Sequence, residues 1–115
     1  MCKSCLPYLQ HILQECEFIR SVVPDDAVMY LFLEDEMLKR AVTRSLEIIG
    51  EATKKIPADV KYRWQSVSWR QMAGMRDKLI HDYMGVNYLI VWDVAKNIIP
   101  MLIPQIQEII EKERK

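Results

Sequence analysis

The sequence holds three glycines and five prolines in 115 residues. Glycine supplies the positive-φ positions of tight hairpins, so a chain this poor in it has few places for them. Strict apolar/polar alternation, the signature of half-buried strands, is nearly absent as well. No apolar run approaches the ~18–20 residues of a membrane span, and the N-terminus lacks the basic-then-apolar order of a signal peptide. A cytoplasmic protein with no membrane partner is therefore expected. Cys2, Cys5 and Cys16 are the only cysteines, and their odd number fits reduced thiols better than a disulfide frame. Cys2 and Cys5 have C-x-x-C spacing, but no second pair accompanies them and a structural zinc site needs four ligands. Neither a metal nor a cofactor is expected. The formal net charge is zero, which argues against indiscriminate binding of nucleic acid.

Half of the residues are apolar, enough for one core and one domain spanning residues 1–115. Their spacing is helical throughout. Leu9, Ile12, Leu13, Cys16, Ile19 and Val23 recur every three or four positions, which predicts a first amphipathic helix from Leu6, with Pro7 in its first turn and Pro24 after its end. Asp25 or Asp26 is the expected cap of a long second helix over about residues 27–55. Its seam runs through Leu31, Leu38, Val42, Leu46 and Ile49, with Glu34, Asp35 and Glu36 as a solvated acidic face. After a connection with a short helical turn around 59–64, Ser66 or Ser68 can start a helix from Trp69 to His81 or Asp82. Gly85 supplies its stop, and Asn87 caps a last helix from 88 to about 112, kinked near Pro100. Helices joined by short connections without strands predict an all-α, up-and-down bundle of four to five helices.

Charge is balanced overall but not locally. Residues 54–78 carry seven basic groups (Lys54, Lys55, Lys61, Arg63, Arg70, Arg76 and Lys78) against Asp59 and Asp77. This basic run leads directly into Arg76-Asp77-Lys78-Leu79-Ile80-His81-Asp82-Tyr83. An arginine is permanently charged and forks onto phosphate oxygens, and a histidine can both take and give a proton near neutral pH. On a continuous helix Arg76 and His81 would project about 140° apart, so the helix has to end near His81 for the two to serve one site.

The spacing R-x4-H-x-Y in this octet resembles the motif of HEPN-domain ribonucleases, and more narrowly the HepT-like toxin family. Further blocks carry the same resemblance. Residues 40–52 are similar to the family's long second helix, Trp69 to Arg76 to its approach to the active arginine, and Gly85-Val86-Asn87, Val91-Trp92-Asp93 and Pro100 to its last helix. The resemblance implies a metal-independent endoribonuclease with RNA as substrate, acting as the toxin of a type II pair. Its implied partners are a second copy in a twofold homodimer and a minimal, MntA-type nucleotidyltransferase antitoxin. It implies that His81 moves protons while Arg76 offsets charge on the phosphate. Asp77 either orients one of these two or sits on the surface. Tyr83 is the implied target of AMPylation, and Glu51 a candidate supporting partner from the long helix. The alternative is a non-catalytic helical module that docks a nucleotidyltransferase or binds a nucleotide; a helical dimer with a purely structural role is a third reading.

Overall fold

The apolar stripes at three- and four-residue spacing become the buried faces of three long helices. In α1 (Leu6–Val22) these are Leu9, Ile12, Cys16 and Ile19. In α3 (Glu36–Lys54) they are Val42, Leu46 and Ile49, and in α8 (Ile99–Arg114) Ile99, Leu102, Ile106 and Ile109. α1 packs along both α3 and α8, so the core lies between these three. Burying each such side chain contributes about 1.5–3 kcal/mol relative to leaving it in water. Shorter helices complete the bundle: α2 (Met29–Glu34), α4 (Ala58–Arg63), α5 (Trp69–Ala73), α6 (Met75–Leu79) and α7 (Tyr88–Asp93). A two-residue antiparallel ladder joins β1 (Ile80–His81) to β2 (Gly85–Val86). This computed structural model describes residues 2–81 and 85–115, with the backbone alone for Ile80 and His81. The all-α class expected from periodicity is the one observed.

Several local expectations are corrected. The segment expected as one helix over 27–55 is broken at Asp35, whose extended backbone (φ −97°, ψ 98°) separates α2 from α3 and whose carboxylate accepts from the Leu38 amide at 3.0 Å. Asp35 is thus a cap as well as part of the expected acidic face, where Glu34, Asp35 and Glu36 are all exposed. The break shifts the helical phase, so Leu31 is exposed and Phe32 is buried in its place. Neither Asp25 nor Asp26 caps α2; Asp25 instead pairs with Arg20 at 2.9 Å. The helix from Trp69 ends at Leu79, two residues before His81, and it is interrupted at Gly74.

Asn87 does cap the last helix, accepting from the Leu89 and Ile90 amides. The disturbance expected near Pro100 takes the form of a π turn, Val94–Ile98, in which the Ile99 amide reaches back to the Val94 carbonyl. Proline offers no N–H to the Lys96 carbonyl four residues earlier, so the regular ladder cannot pass through this point. α7, the π turn and α8 form one continuous helix of 27 residues, long and apolar enough by composition to cross a membrane. No unbroken apolar run had suggested this. Its apolar side is the one buried against α1.

One glutamate ties the two ends of the chain to the middle. Glu113, 1% exposed, receives Arg63 Nε at 3.0 Å, Arg63 Nη2 at 2.8 Å, Trp64 Nε1 at 2.9 Å and the Cys2 amide at 3.1 Å. The Arg63 hydrogen bonds foremost, with those from Trp64 and Cys2 behind, outweigh the burial that would raise it and hold its pKa down to about 2. The tryptophans are structural anchors. Trp64 bonds Glu113, Trp69 donates to the Trp64 carbonyl at 3.0 Å, and Trp92 lies against Phe32 with ring centres 5.3 Å apart.

Candidate functional site

The motif sits where α5 and α6 cross α3. Gly50 permits the close approach: a Cβ there would stand 3.2 Å from the Met72 carbonyl oxygen, a backbone atom with little freedom to move. One turn earlier on α3, Glu47 Oε2 meets Arg76 Nε at 3.5 Å. Arg76 keeps about half of its side chain exposed (54%). A pair this open contributes at most ~1 kcal/mol to stability; what it does is hold the guanidinium beside Glu47.

Beyond Arg76 the chain changes direction. Leu79 is fully buried and ends α6; its carbonyl accepts from the Asn87 amide at 2.8 Å. Between these two residues the ladder sets Ile80 opposite Val86 and His81 opposite Gly85. Gly85 has φ +87°, a region that L side chains rarely adopt. A helical stop was expected of it, and it stands at the start of β2, opposite His81, instead. With the helix ended at Leu79, the angular separation of a continuous helix no longer applies to Arg76 and His81. The His81 side chain and Tyr83 lie outside the described residues.

Asp77 and Lys78 are exposed, and neither has an ion-pair partner among the described residues. Glu51, expected as a supporting partner, pairs with Lys54 at 3.6 Å on its own helix. Glu47 is the residue that reaches Arg76. Both glutamates lie on the same part of α3, four positions apart, and spacing alone could not choose between them. Of the basic run, Arg63 is committed to Glu113 and Asp59. Lys55, Lys61, Arg70 and Lys78 have no acidic partner among the described residues. Lys61 and Arg70 line an open groove with Gln65, Ser68 and Gln71 at the start of α5. Among the described residues no three His, Cys, Asp or Glu side chains are grouped as a metal ion would require.

The arrangement offers a cation on a short helix, a hairpin that carries a histidine, and unpaired cations on the elements leading to it. That set suits a phosphodiester substrate. Comparison with known proteins agrees. The profile of the family described as "Ribonuclease HepT-like" matches residues 12–109. A protein of Caldanaerobacter subterraneus subsp. tengcongensis named "Putative RNase" is 47% identical over 97% of this chain and 99% of its own length. A "Probable ribonuclease HepT" of Thermococcus cleftensis is 43% identical over 89% of this chain and 92% of its own. A Methanocaldococcus jannaschii protein, again named "Putative RNase", is 50% identical over 70% of this chain and 66% of its own length. No solved structure matches. The chain belongs to the HepT-like ribonuclease family.

Proposed function

We propose that this protein is a metal-independent endoribonuclease of the cytoplasm, the toxin of a type II pair neutralised by a minimal nucleotidyltransferase antitoxin. The observation that supports it most is the placement of Arg76, steered by Glu47, at the entry to the hairpin that carries His81. The RNA 2′-hydroxyl attacks its own phosphorus, the bond to the 5′-oxygen breaks, and His81 transfers the protons between the two oxygens. Arg76 stabilises the charge that gathers on the non-bridging oxygens. Asp77, exposed and unpaired with Arg76, is left either to orient His81 or to sit on the surface. The products are a 2′,3′-cyclic phosphate and a free 5′-hydroxyl. Purified protein incubated with RNA in EDTA is expected to yield those ends; fragments bearing 5′-phosphates would overturn attack by the 2′-hydroxyl, and no fragments at all would leave only the non-catalytic binding module.

A twofold homodimer completes this reading. Val28, Met29, Tyr30 and Leu31 around α2, Met37 at the start of α3 and Leu89 on α7 are all exposed, and the three helices pack against one another. Apolar surface gathered in this way marks an association site. α7 follows directly from the hairpin, so pairing through this patch draws two copies of the site together. Light scattering is expected to give twice the 13.6 kDa chain mass, and Leu31→Lys with Met37→Lys to give a monomer with weakened cleavage. A wild-type monomer at micromolar concentration would overturn the pairing.

The antitoxin acts by transferring AMP to the Tyr83 phenol. The added phosphate lies two residues from His81 in sequence, competes for the cation that RNA needs and obstructs the strand. Mass spectrometry after co-expression with the cognate nucleotidyltransferase is expected to find AMP on the Tyr83 peptide. Neutralised toxicity with that peptide unmodified would mean that the partner works by covering the site.

A further inference from the structure

α1 and α3 leave a groove between them that none of the exposed apolar residues named on α2, α3 and α7 lines. Ile48 and Ala52 form its floor, Tyr8 and His11 come from α1, and Arg44, Glu51 and Lys55 come from α3 and the residue that ends it. Its volume is about 240 Å³, just below the ~300–1,000 Å³ of pockets that enclose a drug-sized ligand. The groove suits one planar unit, not a large molecule.

Its charges are arranged at the ends. Arg44 and Lys55 stand about 16 Å apart along the helix axis; both line the groove, and their side chains are long enough to close much of that span. Both are exposed and neither has an acidic partner among the described residues. Glu51 is offset by Lys54 at 3.6 Å. Between the two cations lie the partly exposed Tyr8 ring and the aliphatic floor. A ring flanked by cations is the chemistry that holds a base with a phosphate on either side of it. The groove also shares a helix face with the site. Arg44, Glu47, Ile48 and Glu51 share one side of α3 by their spacing, and Glu47 is the residue that holds Arg76.

We infer that this groove is a subsite for a nucleotide flanking the scissile phosphate of single-stranded RNA: its base lies against Tyr8, its two phosphates meet Arg44 and Lys55, and His11 hydrogen-bonds at the rim. This rests on the ribonuclease reading above for the word scissile, but not for the binding.

The test uses a fluorescent, 2′-O-methylated single-stranded oligonucleotide, which lacks the attacking hydroxyl and so reports binding alone. Arg44→Ala with Lys55→Ala is expected to weaken binding roughly tenfold, and to make the plot of log affinity against log salt shallower by about 1.4, because each single-strand phosphate contact contributes ~0.7 to that slope. Tyr8→Leu keeps an apolar contact but removes the ring, and is expected to weaken binding about fivefold with the salt slope unchanged. With unmodified RNA, both variants should raise KM and leave kcat as it was. Wild-type affinity and slope in both variants would overturn the subsite while leaving the ribonuclease standing. Groove-dependent binding without cleavage by the wild type would overturn the ribonuclease and keep the subsite. A wild-type chain that binds no RNA removes both.

Discussion

His81→Ala and Arg76→Ala are each expected to abolish RNA cleavage and growth inhibition while leaving the helical spectrum unchanged. A positioned acid–base group is worth ~10²–10⁴ in rate, and a donor aimed at developing oxyanion charge about 10²–10³, so either loss takes the reaction below ordinary detection. Stability should not follow. The one pair Arg76 makes among the described residues is at 3.5 Å and open to water, the kind of pair whose removal costs at most ~1 kcal/mol. Glu47 separates the roles further. If it only steers the guanidinium, Glu47→Gln, which can still accept a hydrogen bond, should retain most of the activity, and Glu47→Ala should lower kcat more than it raises KM. Cleavage that persists in His81→Ala, after a contaminating nuclease is excluded with a mock preparation, would remove His81 from the chemistry.

The second large effect is on stability. Glu113→Ala is expected to cost about 3 kcal/mol, the lower part of the 3–5 kcal/mol range for breaking a buried pair. The lower part applies because the Arg63 side chain is 33% exposed and water can recover some of its charge. In a chain of this length the melting temperature should fall by about 10 °C. The sign of the pH dependence follows from the depressed pKa. The Glu113 carboxyl titrates near 2 in the folded chain against an ordinary 4.5, so its contribution is fully present above about pH 4.5 and is lost as pH falls toward 2. Urea titrations of the wild type at stepped pH should therefore lose stability through that window, and Glu113→Gln should flatten the profile there. A variant as stable as the wild type at pH 7 would show that the Arg63, Trp64 and Cys2 contacts contribute nothing net.

The bundle was legible because apolar spacing is a local signal: Leu9, Ile12, Cys16 and Ile19 report their shared face without reference to any other helix. The Asn87 cap was legible for the same reason. The break at Asp35 was not, since an aspartate between two other acidic residues looks equally like a solvated face, and nothing nearby forces an extended backbone. The end of α6 differs by two or three residues from the expected one because the competing structure is a ladder closed by residues four and six positions further on. Glu113 gave no local sign at all. Its partners Arg63 and Trp64 lie 50 and 49 residues away in sequence, and only the packed bundle brings them to it. The octet marked Arg76 and His81 plainly, yet the choice between Glu47 and Glu51 needed the position of α6 over α3.

The π turn at Val94–Ile98 bears on how this chain could change in length. A hydrogen bond that reaches back five residues encloses one residue more than an α turn does. Removing a single residue there could restore a regular turn and keep the buried sides of both Tyr88–Asp93 and Ile99–Arg114 facing as they do. The same deletion in the middle of Leu6–Val22 or Glu36–Lys54 would rotate everything after it by about 100° and turn the apolar stripe away from the core. A one-residue gap is therefore expected to be tolerated near Lys96, and to be ruinous in either of the other long helices.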